Sequence, residues 1–231
     1  MSVNKETRIE IIKESVRRFE AEDFDQDKGQ KSKASKIYDE FLEFMKNADL
    51  RNARNLHLES KIKDFLYKWG SMGRVLGQPD YFGWERALVE EIIANRKELE
   101  ELRMKDLLHE SLDTYQATII RLYDSFRAKV KSSIAAVKTL HLICPDFFPL
   151  WDTSIANGVR AERSQDEKEK AFSAEDYYHF MKDIQGLNIE YKEPLTELAL
   201  KYKKTKLKIL DEFLLWTTSH PFSFFLPPST Q

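Results

Sequence analysis

A short segment in the second half of the chain carries three side chains of types used in catalysis: Lys138, His141 and Asp152. Amines, imidazoles and carboxylates act as nucleophiles, carry protons or stabilise a developing positive charge. Lys138 and His141 are three residues apart, so on a helix they lie one turn apart on the same side. The spacing therefore brings an amine and an imidazole to one helical face.

The elements that must position these residues are predicted from the surrounding sequence. Residues 132–144 form a helix rich in small side chains, and Pro145 breaks it. Pro149 stiffens the loop that follows, and Asp152 stands at the N-cap of the next helix. An N-cap aspartate also has an ordinary structural role, because its carboxylate accepts the backbone N–H groups of the first turn. Lys138 has an equally ordinary role as a solvated helix lysine.

The rest of the chain predicts an all-α fold, a compact multi-helix domain. The 231 residues include only seven Gly and seven Pro, while 33% are charged, a balance that favours long helices joined by short turns. Hydrophobic residues recur at three- and four-residue steps, as on amphipathic helices. The predicted helices cover residues 9–19, 37–45, 56–69, 84–103, 114–130, 132–144, 173–185, 194 onward and 205–217.

We predict one helical domain over residues 1–231. It includes an N-terminal helix and linker at 1–31 and a tail rich in Phe and Pro at 221–231. Gly186 is expected to end the helix that Ser173 begins, since glycine favours helix ends. Trp69, Trp84 and Cys144 fall on apolar faces and are interpreted as core residues.

Composition and charge exclude several classes of protein. A formal net charge of -2 argues against a protein that coats nucleic acid through bulk charge. The N-terminus lacks the apolar run of a signal peptide, and no stretch is apolar enough to span a membrane. One cysteine forms no internal disulfide, and no Cys/His cluster has zinc spacing, so we expect a cytoplasmic protein without a metal or cofactor.

Two motifs of the central segment resemble the helix-hairpin-helix DNA glycosylase superfamily. Residues 136–141, Ala-Val-Lys-Thr-Leu-His, are similar to its lysine helix, and residues 148–155, Phe-Pro-Leu-Trp-Asp-Thr-Ser-Ile, are similar to its aspartate loop. The resemblance is closer still to divergent relatives with Ser-Lys-x-Leu-His, then Pro-x-x-Phe-Pro, then Asp. It implies a glycosylase-like fold with a degenerate hairpin, because residues 132–135 contain no glycine.

The resemblance also implies an activity, DNA repair by cleavage of the N-glycosidic bond of a damaged or modified base. By analogy with the superfamily, Lys138 attacks the anomeric carbon of a flipped nucleotide and forms a Schiff base, while Asp152 stabilises the positive charge. This chemistry requires a desolvated Lys138 close to Asp152, since burial favours the neutral amine. His141 and Trp151 would line the pocket, and the partner would be DNA or a modified nucleoside.

Contacts to the nucleic-acid backbone are predicted at two places. In the resemblance, Ser132 and Ser133 stand in the hairpin that approaches phosphate. Lys203, Lys204 and Lys206 belong to a basic cluster around a helix junction. Clustered lysines are more commonly only solvated, and that interpretation stays open.

A second hypothesis is a helical binding or interaction protein that keeps the scaffold without catalysis. Asp152 would then serve only as a helix cap, and the aromatic tail at 221–231 would recruit a protein partner. The missing hairpin glycines favour this alternative. The sequence by itself therefore leaves open whether the chain is an enzyme.

Overall fold

A computed structural model describes residues 5–25, 30–31, 33–52, 57–69, 72–151, 155 and 173–219. The predicted all-α class is confirmed: the described residues contain eleven α-helices, two short 3₁₀ turns and two strands of two residues each. Asp152, the charged run at 161–170 and the tail at 221–231 lie outside the described residues. None of the described helices is both long and apolar enough to cross a membrane.

The helices are α1 (Lys5–Asp23), α2 (Lys33–Asn47), α3 (Leu58–Lys68), α4 (Gly73–Leu76), α5 (Trp84–Ala94), α6 (Arg96–Leu102), α7 (Leu112–Val130), α8 (Ser133–Ile143), α9 (Ala174–Glu190), α10 (Lys192–Tyr202) and α11 (Lys206–Ser219). The strands are β1 (Phe24–Asp25) and β2 (Gln30–Lys31), and short 3₁₀ turns lie at Leu50–Asn52 and Pro79–Tyr81.

The helix predicted from residue 84 to residue 103 is broken at Asn95, between α5 and α6. The buried Asn95 side chain donates to the backbone oxygen of Glu91 at 2.9 Å and to its carboxylate at 2.7 Å. Its own oxygen accepts a hydrogen bond from Arg121 at 2.5 Å. An asparagine that bonds the preceding turn competes with helix continuation, which accounts for the break.

The prediction that Gly186 ends its helix is wrong, since α9 continues to Glu190. Leu187 and Asn188, directly after the glycine, are both buried, so packing outweighs the low helix propensity of glycine. The predicted start of this helix is confirmed, because the Ser173 hydroxyl accepts the backbone N–H of Asp176 at 3.0 Å.

Contacts between Cα atoms divide the chain into two units, each with its own apolar core. Unit 1 comprises Met1–Gly29 with Trp151–Gln231, and unit 2 comprises Gln30–Leu150. In unit 1, α1 packs on α11, and α10 packs on both; in unit 2, α7 packs between α5 and α8, and α2 and α3 also contact α8. The assignment of residues 1–231 to one domain stays a prediction.

Cys144 follows the last residue of α8 in the core of unit 2, where the sequence predicts a core thiol. It is buried, and its sulfur donates to the backbone oxygen of Leu99 at 3.4 Å. Burial raises the pKa of the Cys144 thiol to about 12. The prediction that Cys144 is a core residue is confirmed.

Candidate functional site

Helix α8 positions two of the predicted site residues, Lys138 and His141, in unit 2. Ser132 caps its first turn, accepting the backbone N–H of Ala135 at 3.3 Å. The small residues Ala135 and Ala136 are fully buried, so neighbouring helices approach closely on that side. Lys138 is one of the few half-buried residues of a helix that is otherwise largely buried.

His141 is only 1% exposed, and both ring nitrogens have partners. Nδ1 lies 2.7 Å from the backbone oxygen of Phe148. A carbonyl oxygen can only accept, so Nδ1 carries the proton of this bond. Nε2 lies 2.6 Å from the hydroxyl of Tyr38, which donates to it in the neutral ring. The predicted contact of His141 with a substrate would require the bond to Tyr38 to open.

Lys138 lies against an aromatic cluster formed by Tyr38, Phe65 and Trp69. Its Nζ is 5.3 Å from the centroid of the Trp69 ring, within the range of a cation–π contact. Trp69 stacks on Phe65 at 4.6 Å and on Tyr38 at 5.0 Å between centroids, and Tyr38 in turn stacks on His141 at 5.8 Å. Helices α2, α3 and α8 thus bring a lysine, an imidazole and three aromatic rings together.

Trp69 and Tyr38 are members of this cluster that the sequence interpretation missed as site residues. Trp69 follows the last residue of α3 and is half-buried, so it is not the fully enclosed core residue that was expected. Tyr38 lies on α2, about one hundred residues before Lys138 in the chain, and no local motif connects the two. The signal for Trp69 was its place just before the glycines at residues 70 and 73.

Two further predicted site residues, Trp151 and Asp152, follow α8 in the sequence. Asp152 is outside the described residues, so its predicted role stays a prediction. Trp151 belongs to unit 1, where it is 2% exposed. Its ring packs on Tyr177 and Phe180, with centroids at 5.4 and 5.0 Å. A role for Trp151 in stacking a base therefore requires this packing to change.

Ser132 and Ser133 lie at a tight connection between α7 and α8, made of Lys131 and Ser132 alone. Lys131 has φ = 50°, the left-handed conformation that favours glycine. Its ammonium group donates to the backbone oxygen of Asp80 at 2.8 Å, tying the turn to the segment before α5. A lysine thus takes the conformation for which a helical hairpin commonly uses a glycine.

The three lysines predicted to contact phosphate have different surroundings in unit 1. Lys203 is exposed, with φ = 55° at the C-cap of α10, and Lys206 is the first residue of α11. Lys204 is mostly buried, with a side chain that is 17% exposed. Their predicted contact with phosphate stays a prediction.

Lys204, in the connection between α10 and α11, contacts carboxylates of two helices and forms an ionic cluster with Glu20, Lys208 and Glu212. Its Nζ donates to Glu20 of α1, and to Glu212 of α11 at 2.6 Å, and Lys208 lies 3.4 Å from the same Glu212 oxygen. These carboxylates neutralise the ammonium group of Lys204, so a phosphate would have to displace them.

In the ionic cluster, the pKa values of both the Glu212 carboxyl group and the Lys204 ammonium group are raised. Burial raises the pKa of the Glu212 carboxyl, although Lys208 and Lys204 act in the opposite sense. Burial on its own would lower the pKa of Lys204, but Glu212 and Glu20 outweigh it and raise that pKa. The cluster therefore binds protons more tightly than the separated groups would.

Among the described residues, no group of three His, Cys, Asp or Glu side chains is placed to hold a metal ion.

Comparisons of the chain with protein-family models, with curated proteins and with solved structures found no match.

Proposed function

We propose that this chain is a glycosylase-like protein that acts through Lys138 on damaged or modified bases in nucleic acid. The proposal starts from the motif resemblance around residues 136–141 and 148–155. The observation that supports it best is the contact of Lys138 with Trp69 at 5.3 Å. An aromatic face beside the amine is a surface on which an extruded base can stack.

In the proposed reaction, the neutral amine of Lys138 forms a bond to C1′ of the nucleotide while the N-glycosidic bond breaks. The base leaves with the bonding electron pair and takes up a proton. The attached nitrogen then loses a proton and the sugar ring opens, which gives a Schiff base. Asp152 is the proposed carboxylate that stabilises positive charge at the sugar.

The contact with Trp69 has a chemical consequence for this proposal. A ring face stabilises an ammonium ion and not a neutral amine. Lys138 must therefore leave the Trp69 ring and lose its proton before it attacks. We propose that the entering base takes the place of the ammonium group on the ring, which couples substrate binding to release of the amine.

Borohydride trapping on duplexes that carry alkylated, oxidised or deaminated bases, or an abasic site, tests the lysine chemistry. Hydride reduces the Schiff base to a stable amine, so the proposal expects a covalent adduct that Lys138→Ala abolishes. Lys61→Ala is a matched control, because Lys61 also lies over an aromatic ring, that of Phe44, at 5.5 Å. This control should retain the adduct.

Three results of the trapping experiment would contradict part or all of the proposed reaction. An adduct that persists in Lys138→Ala would overturn the role of Lys138. Base release without an adduct would replace the lysine by an activated water molecule. No adduct and no base release on any duplex would contradict the proposed activity. Asp152→Asn should also abolish base release with little loss of stability, because asparagine caps helices well.

One observation favours the second hypothesis, a binding protein without catalysis. His141 is buried and bonded through both nitrogens to Tyr38 and Phe148, as expected of a residue that stabilises a core. If this pair has only a structural role, Tyr38→Phe should reduce stability and leave any base release unchanged once the folded fraction is taken into account. A loss of base release beyond the loss of folded protein would favour the catalytic hypothesis.

A further inference from the structure

The ring of Trp69 is a surface that attracts positive charge. The Nζ atom of Lys138 lies 5.3 Å from the centroid of this ring, and a lysine amine is ordinarily protonated at neutral pH. Among aromatic side chains, indole holds a cation over its face most strongly. A group that replaces the ammonium ion on Trp69 is therefore favoured if it also carries a positive charge.

Two buried rings fix the orientation of Trp69. Phe65 stacks on it with an interplanar angle of 24°, and Tyr38 with an angle of 28°. Both of these side chains are buried, whereas Trp69 is half-buried and keeps part of its surface open to solvent. A ring held in this way is a preorganised platform for a flat ligand.

The exchange of the ammonium group of Lys138 for a base has different consequences for neutral and charged bases. A neutral base that enters gains stacking area on Trp69 but gives up the attraction between the ring face and the ammonium ion. A base that carries a positive charge gains the stacking area and keeps an attraction of the same kind. The exchange therefore favours a cationic base.

The hydrogen bonds of His141 favour the same class of substrate. His141 lies one turn after Lys138 on α8 and is 1% exposed. Its Nδ1 and Nε2 atoms lie 2.7 Å from the backbone oxygen of Phe148 and 2.6 Å from the hydroxyl of Tyr38. While these bonds persist, the imidazole cannot pass a proton to a leaving base. A neutral base must take up a proton as it leaves, whereas a cationic base leaves as a neutral molecule and needs none.

A cationic base also helps Lys138 to become a nucleophile. Only the neutral amine attacks, and a second positive charge close to Lys138 disfavours the ammonium form. A neutral base in the same place has no such effect. The charge of the base thus promotes its own departure and the activation of the amine that attacks.

We propose that the base which binds on Trp69 is cationic, a nucleobase alkylated on a ring nitrogen. This inference rests on the proposed function, because it names the substrate class of the same site. In the reaction, the lone pair of the neutral Lys138 amine forms a bond to C1′ while the bond from C1′ to the base breaks. The electron pair of the broken bond neutralises the base, which leaves uncharged. The attached nitrogen then loses its proton, and the sugar ring opens to the Schiff base.

Binding of two matched duplexes tests the charge of the base apart from the lysine chemistry. One duplex contains 7-methylguanine, which is cationic at pH 6, and the other contains 7-methyl-7-deazaguanine, which has the same shape and no charge. A 2′-fluorine on the sugar of each modified nucleotide keeps the N-glycosidic bond intact during the measurement. We expect the protein to bind the cationic duplex about tenfold more tightly in fluorescence anisotropy, the size of one desolvated cation–π contact.

Substitution of Trp69 tests whether this ring holds the cation. Trp69→Leu should abolish the preference for the cationic duplex, and Trp69→Phe, which keeps a smaller ring, should retain part of it. Phe44→Leu is the matched control, because Phe44 also lies beneath a lysine, Lys61, at 5.5 Å, and this variant should keep the full preference. Thermal unfolding of each variant shows whether it is folded.

Equal binding of the two duplexes by the unmodified protein would overturn the inference without the use of any variant. A preference that persists in folded Trp69→Leu would overturn the assignment of the cation to this ring.

Borohydride trapping separates failure of this inference from failure of the proposed function. Equal binding of the two duplexes, together with a Lys138-dependent adduct on oxidised or deaminated bases, would refute the inference and leave the proposed function standing. A preference for the cationic duplex that depends on Trp69, with no adduct on any duplex, would refute the lysine reaction and support the inferred charge of the base.

Discussion

Two buried polar clusters stabilise the two units by different physical means. In unit 2, Tyr38 and His141 form a buried hydrogen-bonded pair, in which the ring nitrogens of His141 are bonded to the Tyr38 hydroxyl and to the backbone oxygen of Phe148. In unit 1, the ionic cluster buries Glu212, and one oxygen of that carboxylate has no hydrogen-bond partner among the described residues. A hydrogen-bonded pair depends mainly on geometry, whereas an ionic cluster also responds to pH and to the removal of a charged partner.

Removal of the imidazole should have the largest effect. His141→Ala takes away two buried hydrogen bonds, leaves a cavity and deprives the Tyr38 hydroxyl of this partner, so we expect a loss of about 4 kcal/mol in the free energy of unfolding. Tyr38→Phe, which keeps the ring, should cost about 1–2 kcal/mol.

Urea unfolding measures the loss of stability in His141→Ala and in Tyr38→Phe. The rate at which a thiol reagent labels Cys144 shows whether the effect of His141→Ala reaches the end of α8. Cys144 directly follows α8, and its thiol has a pKa of about 12 in the folded protein, so it should react only after local opening. Faster labelling in His141→Ala is expected. An unchanged free energy of unfolding in this variant would show that the pair contributes little.

Removal of a cation from the ionic cluster should be somewhat less costly. Lys204→Ala leaves the buried Glu212 carboxylate with Lys208 at 3.4 Å, so we expect a loss of about 3 kcal/mol, at the lower end for a broken buried pair. Lys201→Ala removes an exposed lysine of the same region and should leave urea unfolding nearly unchanged. Equal losses in both variants would mean that the buried contacts of Lys204 add nothing.

A change of pH tests the stability that the ionic cluster contributes without altering the packing of the protein. The pKa of Glu212 is raised in the folded protein, so its contribution to stability is fully present below the ordinary glutamate value of about 4.3 and is lost as pH rises through the raised value. The stability of the unmodified protein relative to Glu212→Gln should therefore fall from acid to neutral pH. Urea titrations of both proteins across that range measure the difference, and a constant difference would contradict the raised pKa.

The smallest expected effect comes from replacing glycine by alanine, once inside a helix and once at a turn. Gly186 lies inside α9, and a methyl group there would meet no atom within 4 Å, so Gly186→Ala should stabilise the protein by about 0.5–1 kcal/mol. Gly83 has equal space but φ = 79°, and Gly83→Ala should destabilise it by about 1 kcal/mol. Thermal unfolding measures both changes, and stabilisation by both substitutions would contradict this account.

Helix identity could be predicted from the sequence because it depends on local periodicity and caps. The Ser173 cap and the span of α8 were predicted from a few neighbouring residues. The break at Asn95 could not be predicted, because it involves Arg121 on another helix. The length of α9 was missed for the same reason, since burial of Leu187 decides it.

Only those residues of the candidate site that lie close together in the sequence could be predicted. Lys138 and His141 share α8, so their common side follows from helical spacing. Tyr38 and Trp69 come from α2 and the end of α3, and only tertiary packing brings them to the lysine. Left-handed backbone at His57, Lys131 and Lys203 also had no signal, because none of these residues is a glycine.

The contact between Glu20 and Lys204 spans 184 positions of the chain. During synthesis α1 leaves the ribosome first of the described helices, while α11, on which it packs, is made last. In unit 2, α3 packs on α2 and α5, and α7 packs on α5 and α8, so much of that packing can form as the helices emerge, before the contacts of α2 and α3 with α8. The apolar face of α1 therefore gains this packing partner only when translation of α11 is complete.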